Sequence, residues 1–247
     1  ATPVEIDFSG SSYSTIWTGG GSGDWFDAAN WSLSAVPVPV DDVFISLPGD
    51  VLDAEADLDL GRPVRIDTAT RPSDETLTRL ADMLLSARAP VLVAGPELAT
   101  RDAFAEAAEL AELLGAAVHA GPVPYSAQFP TAHPAYLGAL TRSQKQARAA
   151  LEPYDLLFCL GGDLLRMSVY SPVEPLPPGR AVAHVSEKPW ELGKNYRTDL
   201  AVQADVKQTL RALLPVVRAM RTPEAAARAA ARLDALRPRN WTAQRAQ

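Results

Sequence analysis

The chain has 247 residues, of which 47% are hydrophobic and 21% are charged, a composition typical of globular domains. No apolar stretch reaches the roughly 18 residues of a membrane span, and the single cysteine, Cys159, excludes an internal disulfide and a cysteine-based zinc site. The net charge of −7, with no stretch that interleaves Arg or Lys with aromatic residues, argues against nucleic acid as a partner.

The charge is distributed unevenly along the chain. Residues 1–61 contain eleven Asp and Glu residues and no Lys or Arg. The other 186 residues carry all 23 basic residues and 19 acidic ones. This asymmetry indicates that two regions of different composition are joined, and we place the junction near residues 41–45.

Residues 1–42 are rich in aromatic residues and glycine. The stretch IWTGGGSGDWFDAANWSLSAVPVPVDDVFI (16–45) resembles the start of secreted, β-rich surface proteins of bacteria. Aromatic residues separated by Gly and Asn or Asp favour short strands, so we predict a β or irregular segment here. A poorly ordered leader is the alternative. The resemblance implies secretion and leaves open a non-enzymatic surface interaction protein.

The first half of the remaining chain alternates between helical and strand patterns. Ser73 is a suitable N-cap for a helix over 73–87, with Asp74 and Glu75 in its first turn. Short apolar runs predict buried strands, and amphipathic spacing predicts a second helix that ends at a glycine. The predicted elements are a strand at 90–95, a helix at 100–114 and a strand at 116–119.

The second half continues the same alternation. We predict a long loop through residues 133–138, helices at 143–151, 206–219 and 222–236, strands at 155–160, 181–185 and 200–203, and an exposed linker after Leu236. Strands that alternate with helices imply an α/β fold with a doubly wound parallel sheet, similar to the Rossmann fold.

In such a sheet, ligands bind in the crevice at the carboxyl ends of the strands. This rule selects candidate cofactor-binding residues, namely Gly95, Pro96, Gly161, Gly162, Asp163 and Ser186. His133 is a further candidate, but no acid or nucleophile lies near it in sequence, which favours a structural role in its loop. His119 and His184 are expected to be buried structural residues, and Asp163 is expected to pair with Arg166.

Five segments of the chain carry a resemblance to a known family. They are VFISLPGDVLDAEADLDLGRPVRID (43–67), RPSDETLTRLADMLLSARAPVLVAGPEL (71–98), FPTAHPAYLGAL (129–140), YDLLFCLGGDLLR (154–166) and DLAVQADVKQTLRALL (199–214). In this order they resemble the end of the pyrimidine domain and the central domain of thiamine diphosphate-dependent enzymes, the superfamily of benzoylformate decarboxylase and acetolactate synthase. The resemblance implies six parallel strands. It divides the chain into 43–72 (end of the pyrimidine domain and linker), 73–220 (central domain) and 221–247 (helix and linker).

The resemblance implies thiamine diphosphate and Mg²⁺ as cofactors of the full-length enzymes, held by a Gly-Asp-Gly motif. Here Gly-Asp occurs at residues 23–24, 49–50 and 162–163, never followed by Gly. We therefore expect no cofactor, metal or catalytic residue in this chain, with the catalytic parts in pyrimidine and diphosphate-binding domains outside it. The resemblance also implies homo-oligomers and a cytoplasmic location for the enzyme part.

Two branches of the superfamily differ in their central domain. Acetolactate synthase-like members bind FAD there, through stretches that this chain replaces with LGALTRSQ (137–144) and GGDLLRMS (161–168). The loop at 129–138 instead matches the pattern FPTxHPxxxG of the benzoylformate decarboxylase-like branch. We therefore predict the scaffold domain of a 2-oxo acid decarboxylase or carboligase, with an FAD-binding acetolactate synthase-like domain as the alternative.

Overall fold

A computed structural model describes residues 15–16, 26–35, 43–44, 67–124, 126–167 and 170–245. The chain divides into two compact units, residues 1–65 and residues 66–247. In the described parts of both, no helix is long and apolar enough to cross a membrane.

The first unit contains little regular structure in its described part. Strand β1 (Thr15–Ile16) pairs in parallel with strand β2 (Val43–Phe44). A single 3-10 turn, Ala28–Asn30, begins at Asp27, whose carboxylate accepts a hydrogen bond from the amide of Ala29 at 3.0 Å. The next residue, Trp31, is buried. Most of the predicted aromatic segment lies outside the described residues, and the domain boundaries at 42 and 72 stay predictions.

The second unit is built on one parallel sheet. Its strands are β3 (Pro90–Ala94), β4 (Ala117–Ala120), β5 (Tyr136–Ala139), β6 (Leu156–Leu160), β7 (Ala181–Ser186) and β8 (Leu200–Gln203). They lie in the order β5-β4-β3-β6-β7-β8, and every neighbouring pair is parallel. This confirms the predicted Rossmann-like α/β fold.

The helices of this unit are α1 (Asp74–Ser86), α2 (Glu97–Thr100), α3 (Phe104–Leu114), α4 (Gln144–Leu151), α5 (Val206–Met220), α6 (Pro223–Leu236) and α7 (Trp241–Arg245). Helix α5 packs against α1 and α3, and α6 packs against α3, so these four form one layer.

The ends of these helices follow from local chemistry. Ser73, Asp205 and Thr222 each accept a hydrogen bond from an amide in the first turn of α1, α5 and α6, which satisfies one of the free donors there. Helix α3 ends at Gly115, which adopts a left-handed φ of 60°. A Cβ atom at this position would lie 2.2 Å from the carbonyl oxygen of Ala229. Helix α6 can therefore pack this closely against the end of α3 only because residue 115 has no side chain.

The two central strands form the core of the sheet. All five residues of β3 and all five of β6 are buried, as expected for strands covered on both faces. The two apolar runs predicted as buried strands therefore lie in the core, including Val91, Leu92, Val93, Leu156, Leu157 and Phe158.

The predicted loop through residues 133–138 was wrong in part, because Tyr136–Ala139 form the edge strand β5. Gly138, with φ of 98°, signals a turn in the sequence, but here it accompanies a register shift opposite Val118 and Ala120. An edge strand pairs on one side only, so it tolerates such an irregularity.

The predicted single helix over 100–114 was also wrong at its start. The chain forms α2, breaks at residues 101–103 and resumes as α3. Asp102 adopts a left-handed φ of 49° at the break, and the ammonium of Lys207 binds its backbone oxygen and its carboxylate. Neither Gly nor Pro marks this break in the sequence.

The predicted linker after Leu236 is mostly exposed, as expected, but it contains regular structure. Residues 237–239 form a 3-10 turn, and α7 follows and contacts β5. The indole of Trp241 occupies the space beside Gly138, where an added Cβ atom would lie 2.9 Å from the ring. The absent side chain of Gly138 thus makes room for Trp241.

Candidate functional site

The candidate site lies where the strand order of the sheet reverses, between β3 and β6. In open α/β sheets, ligands bind in the crevice outside the carboxyl ends of the strands at this point. A cavity of about 190 Å³ is located there. Four of the predicted residues, Gly95, Pro96, Gly162 and Asp163, line it. The other lining residues are Val93, Ala94, Gly121, Pro122, Val123, Gln128, Cys159, Arg166, Lys188 and Glu191.

The glycines at the ends of β3 and β6 bring the two chain segments together. A Cβ atom on Gly95 would lie 2.1 Å from the carbonyl oxygen of Gly161, and one on Gly162 would lie 2.8 Å from the Cα atom of Gly95. The amide of Gly95 donates to Leu160 at 2.9 Å, and that of Glu97 donates to Gly161 at 2.9 Å. The missing side chains therefore allow close contact between the two backbones, which narrows the crevice at this point.

Behind these glycines lies a buried carboxylate that the sequence analysis missed. Glu97 is only 6% exposed, and its carboxylate accepts hydrogen bonds from the hydroxyl of Ser186 at 2.6 Å and the amide of Glu187 at 2.9 Å. Burial raises the pKa of Glu97, and these two hydrogen bonds partly oppose the increase. Glu97 thus holds both the last residue of β7, the predicted site residue Ser186, and the start of the turn that follows.

Arg101 extends this network towards the segment that precedes α1. Its guanidinium pairs with the carboxylate of Glu187 and lies 3.2 Å from that of Asp205. It also donates to the hydroxyl of Thr68 at 3.2 Å. The pairing with Glu187 raises the pKa of Arg101, which stays charged. The amide of Asp205 donates to the carbonyl of Thr70 at 3.0 Å, so residues 68–70 are held at two points.

Two further polar groups, His184 and Cys159, point at one carbonyl. The Nε2 atom of His184 lies 2.8 Å from the carbonyl oxygen of Gly162, and the thiol of Cys159 lies 3.4 Å from it. Burial lowers the pKa of His184 and raises that of the thiol of Cys159. His184 is therefore a neutral imidazole whose Nε2–H donates to this carbonyl, and the thiol of Cys159 stays protonated. Neither group is suited to act as a base or a nucleophile.

The charged residues of the lining are mostly paired. Asp163 forms the predicted ion pair with Arg166 at 3.2 Å, and Glu191 lies 3.7 Å from the ammonium of Lys194. Lys188 has no described carboxylate within 4 Å.

The remaining predicted site residues lie outside the lining. Gly161, with φ of 72°, packs against Glu97, and Ser186 is buried beside the same side chain. The Nδ1 atom of His133 accepts a hydrogen bond from the amide of Ala135 at 3.2 Å, which fixes its own loop. His119 is buried as expected, with its Nδ1 atom 3.1 Å from the carbonyl oxygen of Gly138.

Glu97, Arg101 and Gln128 are the polar residues that sequence reasoning missed. An acid directly after Gly-Pro is typical of a solvated first helical turn, and nothing in the sequence distinguishes a buried one. Gln128 precedes the FPTxHP pattern, but an amide in a loop has no characteristic spacing. Only the fold brings Gln128 to the crevice and places Glu97 and Arg101 behind it.

The crevice does not fit a flavin. Its volume of about 190 Å³ is below the roughly 300–1,000 Å³ of pockets for drug-sized ligands. The helix after β3 has only four residues, and the buried carboxylate of Glu97 stands in its first turn, where a dinucleotide would place its pyrophosphate. The described residues also contain no group of His, Cys, Asp or Glu that could hold a metal ion, so they do not fit Mg²⁺ with thiamine diphosphate.

Comparison with known proteins identifies the family of this fold. Residues 77–213 match the family described as thiamine pyrophosphate enzyme, central domain. Benzoylformate decarboxylase of Pseudomonas aeruginosa is 31% identical over 183 residues, which cover 73% of this chain and 34% of that protein. An acetolactate synthase of Mycobacterium avium is 30% identical over 180 residues, which cover 70% of this chain and 28% of that protein.

A solved structure shows the same relationship in three dimensions. The thiamine diphosphate-dependent 4-hydroxybenzoylformate decarboxylase of Rhodococcus jostii RHA1 is 33% identical and superposes with a TM-score of 0.58, over 74% of this chain and 35% of that one. The chain thus spans about a third of the length of these relatives. It belongs to the thiamine pyrophosphate enzyme family, and residues 77–213 match that family's central domain.

Proposed function

We propose that residues 73–220 are the central scaffold domain of a thiamine diphosphate-dependent 2-oxo acid decarboxylase or carboligase of the benzoylformate decarboxylase type. In this role the domain joins a pyrimidine domain to a diphosphate-binding domain and supports their assembly into homo-oligomers. The domain itself performs no chemistry, and the cofactor is held by the other two.

The narrow switch point is the single observation that carries this proposal. The backbones of two segments are in close contact at Gly95, Gly161 and Gly162. A flavin-binding relative needs room for a dinucleotide at this point. The buried network of Glu97 and Arg101 uses the same edge of the sheet to hold residues 68–70, which enter the domain. The carboxyl edge is therefore built for attachment of a neighbouring segment.

A domain exchange tests the proposal. We would replace the central domain of the Pseudomonas aeruginosa benzoylformate decarboxylase with residues 73–220 of this chain. The chimera should bind thiamine diphosphate and decarboxylate benzoylformate without added FAD. The control is the same exchange with the central domain of the Rhodococcus jostii enzyme. An active control beside an inactive chimera would contradict the proposed function.

A further inference from the structure

One side chain of the crevice carries a hydrogen-bond donor that no described residue accepts from. Gln128 is only 4% exposed and lines the cavity. The amide of Gly121 donates to it at 2.8 Å, so the receiving atom is the side-chain oxygen, Oε1. This fixes the orientation of the side-chain amide and leaves Nε2 without a hydrogen bond to any described residue. A donor in this position is available to a ligand in the cavity.

The charged residues around this donor leave one positive charge without a paired carboxylate. Asp163 is neutralised by Arg166, and Glu191 by Lys194 just outside the lining. Lys188 also lines the cavity, and among the described residues no carboxylate lies close enough to pair with it. One positive charge and one amide donor therefore remain, a combination that favours an anion.

Part of the cavity lining is apolar. Val93, Ala94, Pro122, Val123 and the thiol of Cys159 supply this part. Because burial raises the pKa of the Cys159 thiol, this sulfur is a neutral, weakly polar surface. A small ligand with one apolar end and one anionic end fits this cavity. Its size matches the cavity volume, its apolar end the apolar lining, and its anionic end the donors of Lys188 and Gln128.

We propose that the crevice binds a small organic monocarboxylate, with its carboxylate at Lys188 and Gln128 and its apolar group over Val93 and Cys159. Such a site goes beyond the scaffold role and does not depend on it. The ligand would occupy the switch point without the nucleotide that a larger crevice takes.

The proposal can be tested with three probes of one shape and different charge. The ¹⁵N-labelled 247-residue chain would be titrated with benzoate, benzamide and benzylamine while amide chemical shifts are followed. Benzoate should bind with a Kd of about 1 mM or lower and shift the amides of Gly95, Gly121 and Gly162. Benzamide should bind about tenfold more weakly, and benzylamine should not bind.

Two variants and a matched control locate the site. Lys188→Gln should weaken benzoate binding about tenfold. Lys145 is an exposed lysine on α4, and Lys145→Gln should leave benzoate binding unchanged. Gly121→Val should abolish binding, because a side chain there enters open space beside Gln128 and Ala94. Equal binding of benzoate and benzamide, shifts confined to residues outside the lining, or no benzoate binding would each overturn the proposal.

Discussion

At the scale of single residues, the contact between Gly95 and Gly161 explains why the crevice is narrow. We predict that Gly95→Ala lowers the free energy of unfolding by about 3 kcal/mol, because the new Cβ atom would lie 2.1 Å from a backbone oxygen that cannot rotate away. Gly121→Ala is the matched control. Its Cβ atom would have no neighbour closer than 3.8 Å, so stability should change by less than about 1 kcal/mol. Urea denaturation measures both, and equal losses would contradict the close packing.

Glu97 makes stability depend on pH in a defined direction. Burial raises its pKa above the usual 4.5, so between 4.5 and that raised value the folded chain binds more protons than the unfolded chain. The free energy of unfolding contributed by Glu97 is therefore complete below pH 4.5 and is lost as the pH rises through the folded-state pKa. The difference in stability between the wild type and Glu97→Gln should fall across this window.

Asp155 provides the control of opposite sign for this experiment. Burial alone would raise its pKa, but hydrogen bonds from the amides of Ala89 and Arg88 lower it below the usual 3.8. Its contribution is present above pH 3.8 and is lost as the pH falls through the lowered value. Relative to Asp155→Asn, the wild type should thus gain stability as the pH rises. A flat difference for Glu97→Gln over the same series would show that its carboxylate is solvated.

At the scale of secondary-structure elements, β6 is the central support of the sheet. Leu157 is 2% exposed and lies between β3 and β7, so Leu157→Ala should cost about 2–5 kcal/mol through lost burial and the remaining cavity. Met220, at the end of α5, is 37% exposed, and Met220→Ala should cost less than about 1 kcal/mol. Chemical denaturation compares the two. Similar midpoints would mean that β6 is not a core strand.

The elements also show what a sequence can predict. Strands β3 and β6 follow from their continuous apolar runs, and the starts of α1 and α6 follow from Ser73 and Thr222, because burial and capping leave local signals. Strand β5 could not be predicted, since its glycine is explained only by Trp241, about 100 residues later. The crevice glycines followed from topology, but the burial of Glu97 depends on β7 and has no local signal.

At the scale of the whole molecule, the topology of the sheet determines where the crevice lies. The strand order β5-β4-β3-β6-β7-β8 places a crevice at the switch point between β3 and β6. Close contacts between glycines narrow this crevice to about 190 Å³, and the buried Glu97 holds the adjacent end of β7 by hydrogen bonds. The Gly-Asp-Gly motif that the resemblance to thiamine diphosphate-dependent enzymes implies does not occur in the sequence. Both observations support the proposed scaffold role, in which this domain positions its neighbours.

Calorimetric titration of the 247-residue chain with thiamine diphosphate and Mg²⁺ distinguishes a scaffold domain from a cofactor-binding domain. We expect no binding in the micromolar range, because the described residues hold no group of metal ligands and the crevice has no room for the cofactor. The Pseudomonas aeruginosa benzoylformate decarboxylase, freed of its cofactor, serves as the positive control. Saturable micromolar binding by the chain itself would contradict the scaffold role and show that it contains a complete cofactor site.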